Sequence, residues 1–345
     1  MKLANASVNG LFGMYDHSIE MDAEGLTFIH STNGMGKTVF LKLIQRLLTG
    51  RIDYLERIPF GSMELGFDDG SRISVSKDGG LRIVRKRDGT EEELGPEKLR
   101  GIMESIYISP ERLTVKTGDG GLTYAIDTYA EELRRRFSSV RRETAIDLAK
   151  AEPDDDISNE DLEDGLFDLE GRLRLLAEVG LEVDPPDGYS LTPEPEDVER
   201  DRGGYLRLLS EVRRITGGCY RFAESLKAFQ QVVNCFYTSK RMTVTDGIIS
   251  VSMLNGNQVP LEVLSSGEKH ILIIFYRILF HANPGSLIII DEPEISIHVS
   301  WQQKMGHLLL DLCELRDLQM LVATHSPQII HDLWDRANEL GGGIA

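Results

Sequence analysis

Short apolar runs over residues 2–8, 17–21 and 26–30 read as strands, and the last leads directly into a glycine-rich turn. Beyond that turn Phe40, Ile44, Leu47 and Leu48 fall on one face at helical spacing, and Gly50 stands where a helix stop is expected. From 62 to 94 the pattern alternates and is broken at Asp69-Gly70, Asp78-Gly79 and Asp88-Gly89, each a hairpin signal, so an antiparallel meander is expected. A short helix over 97–104 and an apolar strand over 105–109 follow, ending at Pro110. The period then becomes helical: Ile126, Tyr129, Leu133, Phe137 and Val140 recur three and four apart, as do Phe222, Leu226, Phe229 and Val233. After 241, runs at 242–245 and 248–253 pair around Asp246-Gly247, and strand and helix alternate to the end. Residues 288–290 form an unbroken apolar run ending in acids, the pattern of a central parallel strand buried on both faces.

These patterns divide the chain into residues 1–117, the first half of an α/β domain, an inserted helical arm over 118–240, and the second half of the domain over 241–345. Within the arm, an acidic patch at 152–164 and a proline-rich connection at 184–195 read as exposed loops. No internal repeat is visible.

Composition narrows the setting. The chain has 345 residues with 41% hydrophobic content, enough for a proper core. Cys219, Cys235 and Cys313 are odd in number and in no metal-ligand spacing, which points to a reducing, cytoplasmic compartment rather than a disulfide framework. The start lacks the charged-then-apolar build of a signal peptide, and the most apolar stretch, 271–280, is far shorter than the ~20 residues that span a bilayer, so no membrane segment is expected. Thirty-eight basic against 56 acidic side chains give a formal charge of −18, so the whole molecule should repel nucleic acid at a distance and any DNA contact must be local. Arg134, Arg135, Arg136, Arg141 and Arg142 are one candidate for that contact; a solvated helix face paired with the acidic run that follows is the other reading.

Four short segments carry chemistry. Ser31-Thr32-Asn33-Gly34-Met35-Gly36-Lys37-Thr38 is a near match to a P-loop, with Ser31 where the first glycine usually stands. Gly34 and Gly36 let backbone N–H groups close around phosphate, Lys37 reaches the outer phosphates, and the Thr38 hydroxyl is placed to ligate Mg²⁺ at a helix N-terminus. The strand 287–290 delivers Asp291 and Glu292, a Walker B arrangement in which Asp291 would hold the metal and Glu292 would polarise the attacking water. Leu264-Ser265-Ser266-Gly267-Glu268-Lys269 opens a strongly apolar helix, where a hydroxyl and a glycine suit a γ-phosphate, although such a serine alone is often only an N-cap. Val322-Ala323-Thr324-His325-Ser326-Pro327 sets a histidine at a strand end, with Ser326 and Pro327 as cap and first residue of the next helix.

In order and kind, these segments resemble the four nucleotide motifs of ABC-type ATPases, and the resemblance covers nearly the whole chain outside the arm. It implies an α/β ABC-ATPase head, with a parallel core sheet, flanking helices and an antiparallel β subdomain, interrupted by the helical arm. It also implies ATP and Mg²⁺ as ligands, with Asn33 to Thr38 on the nucleotide, Thr38 and Asp291 on the metal, and Glu292 and His325 as catalytic groups. Two heads of a homodimer would pack head to tail, so that Ser265, Ser266, Gly267 and Glu268 of one face the P-loop of the other. Two departures stand out: Ser31, and the lack of a glutamine at 106–112 where the family's Q-loop would lie, which leaves the second magnesium contact unassigned.

The Ser-Ser-Gly-Glu signature, the run 291–298 and Thr-His-Ser-Pro at 324–327 look like the soluble branch with OLD-like and RecF-like members rather than transporter heads. OLD nucleases fuse such a head to a TOPRIM domain, and about twenty residues follow His325 in this sequence, so an effector, such as a TOPRIM-like nuclease, is expected on a separate chain. The resemblance thus implies an ATPase that gates a separate effector in bacterial anti-phage defence. Two alternatives are a RecF-like repair ATPase that clamps duplex DNA when ATP is bound, and a protein whose nucleotide serves mainly assembly.

Overall fold

The computed structural model describes residues 1–116, 122–145, 148, 157–340 and 343–344; the acidic residues 152–156 and the expected boundary at 117/118 lie outside them. Two compact units result, one of Met1–Leu113 with Ser265–Ala345 and one of Thr114–Leu264.

In the first unit β1 (Leu3–Leu11) and β2 (Tyr15–Glu20) lead to β3 (Leu26–His30), then the glycine-rich loop and α1 (Lys37–Leu48). Gly36 precedes α1 at φ 82°, a left-handed turn open to glycine at little cost, and the chain then buries Phe40, Leu41, Leu43, Ile44, Leu47 and Leu48 along one stripe. The helix α2 (Ile52–Arg57) precedes the meander β4 (Ser62–Phe67), β5 (Arg72–Ser76), β6 (Arg82–Arg87) and β7 (Thr90–Glu93), whose turns fall at the Asp-Gly pairs. Asp88 and Gly89 have φ of 50° and 76°, as a two-residue hairpin with the strands' own twist requires. The helix α3 (Pro96–Arg100) is shorter than the 97–104 expectation because Gly101 caps it, and β8 (Ser105–Ile108) follows.

The second unit holds β9 (Thr114–Lys116), β10 (Leu122–Tyr124), α4 (Ala125–Glu143), α5 (Asn159–Glu178), α6 (Pro195–Arg200), α7 (Arg202–Phe236) and the sheet β11 (Lys240–Thr245), β12 (Ile248–Met253), β13 (Gln258–Val259). The β11–β12 hairpin therefore belongs with the arm, not with the head where alternation alone had put it. The reason is local packing. A Cβ at Gly247, in its turn, would lie 2.5 Å from Phe137 Cβ of α4, and Asn234 of α7 both accepts from the Met242 N–H and donates to the Met242 carbonyl, covering the edge of β11. Leu162 and Leu166 of α5 meet Leu206, Leu209 and Val212 of α7 in a core of its own.

Back in the first unit come α8 (Ser266–Tyr276), β14 (Leu287–Asp291), α9 (Val299–Arg316), β15 (Gln319–Ala323), α10 (Pro327–Ile330), β16 (Ala337–Glu339) and β17 (Gly343–Ile344). Among the described residues a parallel sheet runs β16-β3-β15-β14-β8 and an antiparallel one runs β17-β2-β1-β4-β5-β6-β7. Every residue of β14 is buried, as its unbroken apolar run requires of a strand between β15 and β8. Helix α1 packs against β14 and β8. The C-terminal ends of β3, β14 and β15 thus deliver the glycine-rich loop, the two acids and His325 to one edge of the sheet, the place where open α/β sheets bind ligands.

Candidate active site

The loop is built around its lysine. Lys37 is 6% exposed, and its ammonium donates to the Ser31 carbonyl and hydroxyl at 3.0 Å each and to the Thr32 carbonyl at 3.3 Å. Ser31, the departure from glycine, therefore adds a side-chain acceptor to the cradle. Burial lowers the Lys37 pKa, while the negative charges of Glu292, Asp291 and Glu294 act in the opposite sense. Gly34 and Gly36 both adopt left-handed backbone, at φ 85° and 82°. The Met35 carbonyl lies 2.6 Å from His17 Nε2 of β2, and since a carbonyl only accepts, that nitrogen carries the proton. Asn33 and Gly34 are exposed; Met35, Gly36 and Thr38 are half-buried.

Asp291 is fully buried at the end of β14. Its Oδ2 accepts a 2.7 Å hydrogen bond from the Tyr107 hydroxyl of β8, whereas Oδ1 has no hydrogen-bond partner among the described residues. Burial, then the adjacent carboxylate, pushes the Tyr107 pKa upward, so the phenol stays a donor. A buried carboxylate oxygen left over beside a lysine is costly unless a cation or donor takes it. The donor set fits a hard divalent cation: an acid oxygen free at the strand end and a threonine hydroxyl at the start of the neighbouring helix.

Glu292 turns the chain sharply, at φ 49°, a region L-residues enter only at a cost of roughly 1–3 kcal/mol, and its N–H donates to the Ala323 carbonyl at 2.9 Å. Its Oε1 lies 3.8 Å from His325 Nε2, with both side chains about one-third exposed. His325 Nδ1 in turn lies 3.4 Å from the Lys37 ammonium. Lys37, Asp291, Glu292 and His325 are thus brought into one cluster.

The turn is held by residues whose role the sequence did not announce. Arg112, 4% exposed, donates through one nitrogen to the Ser109 and Asp291 carbonyls at 3.2 and 3.4 Å and through the other to the Glu292 and Pro293 carbonyls at 3.3 and 3.0 Å. Burial brings its pKa down to about 10, so it remains a cation at neutral pH. Glu294 accepts from the Thr324 hydroxyl at 2.9 Å and the His325 N–H at 2.6 Å, joining the acid turn to the histidine loop. Ser326 caps α10, with Pro327 in its first turn.

Ser265 to Glu268 form a unit of their own. The Ser265 hydroxyl accepts from the Glu268 N–H at 3.3 Å, and the Glu268 carboxylate accepts from the Ser265 N–H at 2.8 Å, a complete capping box. Ser266 begins the helix, and a Cβ at Gly267 would lie 2.4 Å from the Ser296 carbonyl, so glycine lets α8 approach the segment after β14.

Against known families, residues 32–331 match the model described as "AAA domain, putative AbiEii toxin, Type IV TA system". The chain belongs to this family. As a member it is an ATPase of the AAA/ABC type, and the fold agrees: the Smc head domain from Pyrococcus furiosus, solved with an extended coiled coil and bound to the C-terminal domain of ScpA, superposes with a TM-score of 0.53 at 12% identity, covering 99% of this chain and 94% of that one. An Smc head with a coiled coil and joint from Pyrococcus yayanosii gives a TM-score of 0.50 at 12% identity, covering 99% and 96%. The α/β ABC-ATPase head read from the motifs is therefore the fold. The "Retron Ec83 probable ATPase" of Escherichia coli is 31% identical over 140 residues, which cover 32% of this chain and 26% of that protein's length. Among the described residues no helix is long and apolar enough to cross a membrane.

The signal for Tyr107 and Arg112 was positional: both lie in the 106–112 stretch where a glutamine was sought. Glu294 stood in plain view in the run 291–298 without a contact to give it meaning.

Proposed function

We propose that the chain binds and hydrolyses ATP with Mg²⁺ at this cluster, closes as a homodimer around the nucleotide, and gates a separate effector in bacterial anti-phage defence. The observation that carries the reading is Asp291: buried, oriented by Tyr107, and left with one oxygen that has no hydrogen-bond partner among the described residues, in the vicinity of Lys37. In this reading the loop N–H groups of 33–38 and Lys37 grip the phosphates. Thr38 and Asp291 would hold Mg²⁺, which neutralises charge on the β- and γ-phosphates when bound. Glu292 orients the attacking water and accepts its proton, a task that needs the carboxylate aimed by the left-handed turn Arg112 clamps. His325, between Glu292 and Lys37, senses the γ-phosphate end and passes a change to Glu294 through its own N–H. Ser265 to Glu268 of a second copy complete the site, with their capped helix start aimed at the phosphate.

The retron ATPase relative and the family's description support the defence setting, and the gated partner is then a separate protein, such as a TOPRIM-like nuclease. The arginine run of α4 gives the DNA-clamp alternative less support: Arg136 pairs with Glu132 at 3.6 Å and Arg141 with Asp246 at 2.6 Å. Phosphate release from ATP by wild type, Lys37→Ala and Asp291→Asn, measured with and without Mg²⁺, tests the proposal. Turnover that needs Mg²⁺ and disappears in both variants supports it; turnover that persists in Asp291→Asn contradicts it. Duplex binding at two salt concentrations separates the alternative, which requires tight, ATP-dependent binding that falls steeply with salt.

A further inference from the structure

Apart from the nucleotide cluster, the surface where α9 meets the end of α10 brings two imidazoles and a carboxylate together. His307 Nε2 lies 2.8 Å from Asp332 Oδ1, and His331 Nδ1 lies 3.2 Å from the same oxygen. All three ligand atoms fall within 4.8 Å of one another. We propose that His307, His331 and Asp332 bind one divalent transition-metal ion of the zinc class.

The chemistry of the set favours such an ion over a hard one: two neutral imidazoles and one carboxylate are ligands for Zn²⁺, with water completing the shell. Bonds of ~2.0–2.1 Å around a tetrahedral centre put ligands about 3.3 Å apart, so the carboxylate oxygen already stands near ligand separation from both rings. The side chains are 50%, 48% and 60% exposed, which leaves them free to close the remaining gap by rotation about their own torsions.

The backbone beneath is fixed. A Cβ at Gly306 would lie 2.5 Å from the Ile329 carbonyl, so α9 and α10 touch main chain to main chain one residue before His307 and two before His331. His331 itself caps α10 at φ 50°, ψ −106°, conformation that L-residues seldom adopt, and its N–H is tied to the Pro327 carbonyl at 2.8 Å. Ligands on packed elements with one end locked are preorganised, which is what a metal site needs. A bound ion would staple α9 to the segment that follows Ser326 and His325.

The alternative is that Asp332 merely forms surface ion pairs with two protonated histidines. Calorimetric titration of the full chain, free of nucleotide and of any histidine tag, with Zn²⁺ at micromolar concentration separates the two, paired with thermal melting. The proposal expects one ion per chain and a raised melting temperature. His307→Ala and Asp332→Asn should each weaken binding at least about tenfold, while Asp291→Asn, in the nucleotide cluster, leaves it unchanged. Wild type that takes up no Zn²⁺, or His307→Ala that binds as wild type does, overturns it.

Discussion

Replacing Arg112 by alanine is the perturbation whose consequences the structure specifies best. The residue is 4% exposed, and its guanidinium reaches four carbonyl oxygens, three of them on the consecutive residues Asp291, Glu292 and Pro293. Hydrogen bonds from a charged donor contribute about 1.5–3 kcal/mol each, but two of these four are long, at 3.3 and 3.4 Å, and loss of a buried cation returns part of its desolvation cost. A net destabilisation of about 2–4 kcal/mol follows, together with a cavity under the acid turn. The functional effect should be sharper. Glu292 sits at φ 49°, and without the clamp its strained turn is free to relax, moving the carboxylate by something like 1 Å, a displacement that costs on the order of 10²-fold in rate. Lys37 and the glycine-rich loop are not among the groups Arg112 bonds, so ATP affinity should change much less than turnover. Arg112→Lys keeps the charge but cannot span both carbonyl pairs, and should fall between wild type and alanine. The assay is steady-state phosphate release alongside nucleotide binding and urea unfolding, each at a temperature where the variant is folded. A folded Arg112→Ala protein with wild-type turnover would refute the clamp.

Three further outcomes follow from particular contacts. Gly267→Ala sets a methyl 2.4 Å from the Ser296 carbonyl, so urea unfolding should show a loss of about 1–3 kcal/mol, and an unchanged midpoint contradicts the close approach. Ser265→Ala removes one half of the capping box and should cost about 0.5–2 kcal/mol, read in the same way. His270, whose Nδ1 donates to the Ile295 carbonyl, has its pKa lowered to about 4 by burial and then by Arg112. The unfolded chain therefore binds a proton that the folded one refuses: stability is complete above about pH 6.5 and declines towards pH 4 by up to about 1.4 kcal/mol per unit, and His270→Gln should flatten that slope in unfolding midpoints taken across the range.

The elements legible in the sequence were those whose chemistry is local. A glycine-rich turn after a strand, two acids after a fully apolar strand, a serine and glycine before an apolar helix and a histidine at a strand end each declare themselves within eight residues. Asp-Gly pairs likewise marked the meander, and at Asp88-Gly89 both residues take the left-handed φ that a two-residue hairpin demands. What stayed hidden is tertiary. Tyr107 finds Asp291 184 residues away and Arg112 finds Pro293 181 away, and no spacing rule connects them. The β11–β12 hairpin was visible as a hairpin, but alternation carries no information on which unit buries it; Gly247 against Phe137 and Asn234 against Met242 decide that. The long helix α7 was visible only in part, since its start after Asp201 passes through Gly203 and Gly204, residues that argue locally against a helix and are overridden by its packing on α5.

The most direct test of the central claim, a nucleotide switch run by Glu292, is the mass in solution of wild type and Glu292→Gln with ATP and Mg²⁺, recorded together with phosphate release. The account predicts that Glu292→Gln loses turnover by on the order of 10²–10⁴-fold and accumulates as an ATP-bound dimer, while wild type returns to its starting mass as ATP is consumed. Turnover retained in Glu292→Gln, or a mass indifferent to ATP in both proteins, would contradict it.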